Sequence, residues 1–202
     1  MNTADFINAR QRIELKSDVN RVKLTSLSSA VRMIKDGNHI AIGGCLYSRT
    51  PLALLMEVLR QHRTRLTLSR NLMCYEGEWF IEMKAVDTII TSWFGIGLPW
   101  GLSKVMRNAV ENGRVAYEEW SHMALGLRYR AAAMGLPFLP SLTMLGSDLM
   151  KVGGAETMVC PFTGQTLSLI PSLFPDVAVL HVHRADRFGN CQIDGYAHMD
   201  AD

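Results

Sequence analysis

The stretch "HIAIGGCLYSRTPLALLMEVLR", residues 39–60, decides the fold. Its first four residues form a short apolar run that suits a buried strand. Its last nine carry Leu52, Leu55, Met56 and Leu59 at helical spacing. Between them lie a glycine pair, an arginine and a proline. Thr50 is expected to cap a helix over 51–62, with Pro51 at its first position, where a missing N–H costs nothing.

Working outward, the same alternation continues. Thr25 or Ser26 caps a short amphipathic helix, "LSSAVRMIKDG", stopped by Gly37, and residues 1–24 precede the fold as an extension. Downstream, strands are predicted at 65–69, 86–94, 114–120, 176–186 and 191–195, and helices at 78–85, 102–113 and 122–135. Strands alternating with helices pair in parallel, so the fold class is α/β: an open, mainly parallel sheet with helices on both faces. One domain over residues 25–202 accounts for the pattern. The segment 146–166 lacks clear periodicity and reads as a long excursion or an insertion.

Composition narrows the function. Of 202 residues, 48% are apolar and 20% charged, and a net charge of +2 supplies no basic tract for nucleic acid or an anionic membrane. Cys45, Cys74, Cys160 and Cys191 are widely spaced without a CxxC pair. They read as free thiols in a reducing compartment, neither a disulfide framework nor a zinc site. No apolar run approaches the 18 residues of a membrane span, and the polar N-terminus is unlike a secretory signal, so the expected location is the cytoplasm.

In a parallel sheet, ligands gather where the strands end. Three loops are expected on that edge: 43–50, 94–101 and 120–122. Gly43 and Gly44 let a ligand approach the backbone, the following helix presents unpaired N–H groups, and Arg49 adds a forked donor for a carboxylate or phosphate. Shaping a tight turn, with Arg49 solvated, is the competing role for these residues. In "YEEWSH", 117–122, Ser121 caps a helix and puts His122 in its first turn, where the dipole disfavours the imidazolium. Neutral, His122 can donate to a developing oxyanion or take a proton from water. Glu118 and Glu119 precede it. His181 and His183 share a strand face but have no third ligand nearby, and no metal is expected. Trp93, Phe94 and Trp100 can line an apolar acyl pocket or simply belong to the core.

Three blocks, "DGNHIAIGGCLYSRTPLALLMEVLRQ" (36–61), "AAAMGLPFLP" (131–140) and "DVAVLHVHRADRFGNCQIDG" (176–195), resemble the α subunit of family I coenzyme A transferases, of the glutaconate type. The resemblance implies that family's open α/β fold and a hetero-oligomer with a β subunit. The β subunit would carry the glutamate that attacks an acyl-CoA thioester, with coenzyme A as substrate and a carboxylic acid as acceptor. It implies that Gly43, Gly44 and Arg49 form the substrate loop, that Gly77 in "EGEW" lies near the substrate, and that His122 stands where relatives commonly place a glutamine holding the thioester carbonyl oxygen. Ring-opening hydrolases of the IpdA type are related, and if this chain is of that kind the resemblance makes Glu119 or His122 its candidate base. A non-catalytic subunit that scaffolds its partner or binds coenzyme A is the remaining alternative. Relatives continue past the equivalent of "GYAHMDAD", so the domain is expected to be truncated at its C-terminal end.

Overall fold

The central sheet is built from β1 (His39–Ile42), β2 (Leu66–Met73), β3 (Val86–Phe94), β4 (Ala116–Glu119) and β8 (Val177–Val179). These five strands pair in parallel, in the order β4-β3-β2-β1-β8. The computed structural model describes residues 3–14, 21–97, 99 and 101–201. The helices are α1 (Thr3–Glu14), α2 (Leu27–Val31), α3 (Leu52–Arg60), α4 (Tyr75–Glu82), α5 (Lys104–Glu111), α6 (His122–Ala133) and α7 (Leu149–Val152).

Period-two alternation sends neighbouring residues of β3 into different cores. Ile89 joins Leu55, Phe80 and Phe94 beneath α2–α5, whereas Ile90 joins Trp120 and Leu125 beneath α6. Each of these isoleucines, buried to 5% exposure or less, contributes roughly 2–3 kcal/mol by leaving water. Arg128 covers the Trp120 ring at 4.3 Å and pairs with Glu118, so α6 is tied to the end of β4 by charge as well as by apolar packing.

Several expectations are corrected. Residues 146–166, an excursion from the parallel sheet, carry regular structure that their sequence does not signal. They contain α7 and β6 (Glu156–Val159), which joins β5 (Phe138–Ser141) and β7 (Thr166–Pro171) in a separate antiparallel sheet, ordered β5-β7-β6. The first capped helix ends at Val31, well before Gly37, although Ser26 does cap it by accepting from the Ser29 N–H. Thr50 is no helix cap; its hydroxyl donates to the Leu46 carbonyl instead. The strand expected over 176–186 breaks into β8 and a two-residue β9 (Arg184–Ala185), which pairs with β10 (Cys191–Gln192). In the segment before residue 25, where the sequence predicts no helix, α1 sets Phe6 edge-on to Phe174 at 5.8 Å.

β1 and β2 are joined by a buried polar contact. His39 Nε2 lies 2.6 Å from Ser69 Oγ, which also accepts from the Tyr129 hydroxyl at 2.7 Å. Burial lowers the His39 pKa from 6.5 to about 4. The unfolded chain therefore binds a proton between pH 6.5 and 4 that the folded chain refuses, so stability is full above pH 6.5 and falls as the pH drops towards 4. Between pH 7 and 5 the loss from this group is expected to be about 2 kcal/mol. Urea unfolding of His39→Gln at the two pH values checks it: the substitution should remove that part of the pH dependence.

Candidate functional site

The sheet order reverses at β1, because β2, β3 and β4 lie on one side of it and β8 on the other. A crevice opens at such a switch point, beyond the carboxyl ends of the strands. The 43–50 loop leaves β1 there, anchored by the Gly43 N–H donating to the Val179 carbonyl at 2.9 Å. The loop closes on itself through reciprocal backbone bonds between Cys45 and Ser48, at 2.9 and 2.8 Å. Leu46 (φ 49°) and Arg49 (φ 55°) both adopt the left-handed conformation, which side chains disfavour. Gly44 (φ 81°) could hold no side chain: a Cβ there would meet the Ser48 carbonyl oxygen at 2.5 Å.

Beside the loop lies a cavity of about 570 Å³, walled by Ala41, Ile42, Gly43 and Gly44 of the β1 end, Ala178 and Leu180 of the β8 end, Tyr129, Ala132 and Ala133 of α6, and Leu173–Pro175. Its walls are mainly apolar, with Asn71, His198 and Asp200 as polar groups near the loop. The turn His198–Ala201 crosses this region. Asp200 accepts from the Gly44 N–H at 2.8 Å and forms an ion pair with Arg49, whose second terminal nitrogen donates to the Tyr196 and Ala197 carbonyls, each at 2.9 Å. Gly44 and Arg49 thus do hold a carboxylate, and it belongs to the chain itself.

His122 opens α6. Ser121 caps that helix by accepting from the Ala124 N–H at 3.1 Å, as its position in "EEWSH" predicts. The His122 ring meets His198, Nε2 to Nε2, at 3.2 Å, with the rings edge to face. Burial lowers the pKa of His122, and burial followed by the neighbouring His122 lowers that of His198. Both shifts favour the neutral rings at pH 7, and the tautomers decide which nitrogen donates.

The structure brings Gly43, Gly44, Arg49 and His122 to one place. The other two candidates, Gly77 and Glu119, do not line the cavity. Gly77 is buried in the first turn of α4, where a Cβ would lie 2.5 Å from the Phe94 ring and 2.7 Å from the Met73 sulfur; its glycine permits close packing. Glu119 projects from β4 on the side opposite Glu118, since neighbouring strand residues alternate, and it is absent from the cavity wall. Phe94 is core, Trp93 is half-buried, and Trp100 lies outside the described residues. Loop 95–103 does approach loop 43–50, through the Tyr47 hydroxyl donating to the Ile96 carbonyl.

Two contributors have no sequence signature. Asn71, 3% exposed on β2, donates to the His122 carbonyl at 2.9 Å and accepts from Ser92, joining the end of the sheet to the start of α6. Arg70 and Glu76 form an ion pair beneath the loop. Cys74 lies beside them, but burial and then the Glu76 charge push its thiol up to about 12, so it is no nucleophile at neutral pH. Among the described residues no group of three or more His, Cys, Asp or Glu is placed to hold a metal ion, and no helix is long and apolar enough to cross a membrane.

The chain matches known proteins both in sequence and in fold. The sequence pattern of the coenzyme A transferase family matches residues 24–201. One subunit of the 3-oxoadipate CoA-transferase of Pseudomonas knackmussii is 35% identical over 178 residues, covering 86% of this chain and 62% of that protein. The cholesterol ring-cleaving hydrolase IpdA subunit of Rhodococcus jostii is 30% identical, covering 87% and 61%. The crystal structure of glutaconate coenzyme A-transferase from Acidaminococcus fermentans superposes with a TM-score of 0.82 at 28% identity, over 88% of this chain and 62% of that one. The chain therefore spans about three fifths of the length of these relatives.

Proposed function

The chain belongs to the coenzyme A transferase family, and on that premise we propose that it is the α subunit of a two-subunit enzyme that moves coenzyme A from an acyl thioester to a carboxylic acid. The observation that carries the reading is the convergence of three features at the switch point: the Gly43–Gly44 loop, the apolar cavity beside it, and the neutral His122 at the start of α6, which touches His198 of the cavity wall.

Each part has a chemical task in this reading. The cavity takes the acyl chain. The thioester carbonyl is attacked by a glutamate of the β subunit, forming an anhydride and releasing the coenzyme A thiolate. That thiolate attacks the glutamyl carbonyl, freeing the donor acid and leaving coenzyme A on the glutamate, from which the acceptor acid takes it. In each addition the carbonyl oxygen gains negative charge, and the His122 Nε2–H donates to it. His198 Nε2 now occupies that place, 3.2 Å from His122 Nε2. Substrate entry displaces His198 and Asp200 together, since both ride on one turn.

A second reading follows from the lowered pKa of His122 and the likeness to a named hydrolase. A neutral imidazole also accepts a proton from water, which makes the same site hydrolytic.

Both readings meet one experiment. The chain is assembled with its native partner and given acyl-CoA thioesters with or without an acceptor acid, and every coenzyme A species is followed by liquid chromatography and mass spectrometry. Coenzyme A moving onto the acid, and only when acid is present, is the result expected of the transferase. Thioester consumed without acceptor, with the mass of water gained by the product, would establish the hydrolase.

A further inference from the structure

Beneath the 43–50 loop lies an ion pair that the catalytic scheme above does not use. Arg70 on β2 and Glu76 on α4 are 1% and 0% exposed. Arg70 Nη1 pairs with Glu76 Oε1, and the same carboxylate oxygen accepts from the Cys74 N–H at 3.0 Å. The other terminal nitrogen, Nη2, donates upward to the Leu46 carbonyl at 2.9 Å and to Thr50 Oγ1 at 3.1 Å. Arg70 Nε and Glu76 Oε2 are buried without hydrogen-bond partners.

Stability alone does not account for this arrangement. A buried ion pair with unmet polar atoms is commonly no better for the fold than a well-packed apolar pair of the same volume. The loop above it, however, contains two non-glycine residues in the left-handed conformation, Leu46 and Arg49. Such residues persist where surrounding contacts over-determine them. One arm of the guanidinium fork, Nη2, reaches both ends of the strained turn, at Leu46 and at Thr50, while the other, Nη1, is held by Glu76, which fixes its direction. A lysine has no such fork.

We propose that Arg70 and Glu76 are positioning residues: the pair holds the 43–50 loop in the shape that presents the Gly44 N–H and Arg49 to an anionic group. That this group belongs to an acyl-CoA substrate rests on the function proposed above; the positioning itself does not. The link also couples two loops of the site edge, because Glu76 holds the Cys74 N–H where β2 passes into α4.

The test uses the full chain carrying Arg70→Met with Glu76→Leu, so that no buried charge is left alone, and separately Thr50→Val. Amide hydrogen exchange is read by NMR at Cys45 and Ser48, whose N–H groups close the turn. In the double variant, with its unfolding midpoint retained, exchange at these amides is expected to rise about tenfold relative to β1 and β2, as befits loss of a hydrogen bond from a charged donor. Thr50→Val should raise it about threefold. Unchanged exchange in the double variant overturns the proposal; if that variant does not fold, Arg70→Lys, which keeps a charge beside Glu76 but lacks the second terminal nitrogen, decides in its place, and unchanged exchange there overturns it. In the assembled enzyme, KM for acyl-CoA should rise in the double variant with kcat nearly unchanged. Faster exchange without a change in KM leaves the positioning role intact and counts against the loop as the acyl-CoA site.

Discussion

Replacing His122 with alanine in the assembled enzyme is expected to lower kcat about a hundredfold, the usual loss of one oxyanion donor, with KM for the thioester little altered. The selectivity for kcat follows from when the contact matters. The carbonyl oxygen is nearly neutral in the bound substrate and negative in the transition state, so a donor aimed at it lowers the barrier more than it aids binding. The lowered pKa keeps the ring neutral at pH 7, with one N–H to give. His122→Gln separates its two possible tasks. Glutamine donates a hydrogen bond but takes no proton from water, so transfer should survive within about tenfold, and hydrolysis should not. Steady-state kinetics with and without acceptor acid read both. Full turnover by the alanine variant would leave this chain a scaffold for its partner.

The second large effect is expected at Gly44. An alanine there faces two costs at once: a left-handed conformation, at φ 81°, and a Cβ within 2.5 Å of the Ser48 carbonyl oxygen and 2.6 Å of that of Arg49. Both contacts are with backbone, so no side chain can turn aside. The conformational cost is about 1–2 kcal/mol and the overpacking about 1–3 kcal/mol. Gly44→Ala should therefore lose about 3 kcal/mol, which for a chain of this size lowers the thermal midpoint by roughly 6–12 °C. Gly113→Ala is the control, since its φ is 65° but nothing lies within 4 Å of the added carbon. Thermal unfolding of the two variants side by side checks the argument. Equal losses would mean the turn is not closed as described.

The parallel sheet and most of its helices were legible because their signals are local. β3 ends where its apolar run does, at Phe94, and Ser121 and Ser26 cap helices as their positions predict. The antiparallel sheet was not, because β6 is exposed along its whole length and so lacks the alternation that marks a half-buried strand. Thr50 misled for a related reason. A hydroxyl before Pro51 looks like a helix cap, but Arg70 and the Leu46 carbonyl, one of them 20 residues away, claim it first. At the site, glycines and a first-turn histidine can be recognised one by one. Asn71, Arg70 and Glu76 cannot, since a polar residue inside an apolar strand or a helix start shows its purpose only when distant partners converge on it.

The pairing of β1 with β8 joins residues far apart in the chain: Ile42 lies against Val179, and Gly44 and Arg49 against Asp200. On a ribosome adding about 5–20 residues per second, β1 waits roughly 7–30 seconds for that neighbour. Throughout the wait its outer edge offers unpaired N–H and C=O groups to any passing strand, the ordinary starting point of aggregation. The glycine loop stays equally unfinished, because the carboxylate that seats it lies 156 residues further along the chain than Gly44. Contacts of such long sequence separation also slow folding in free solution. The loop thus closes only after β8 has been made, and its formation reports that β1 has its second neighbour in place.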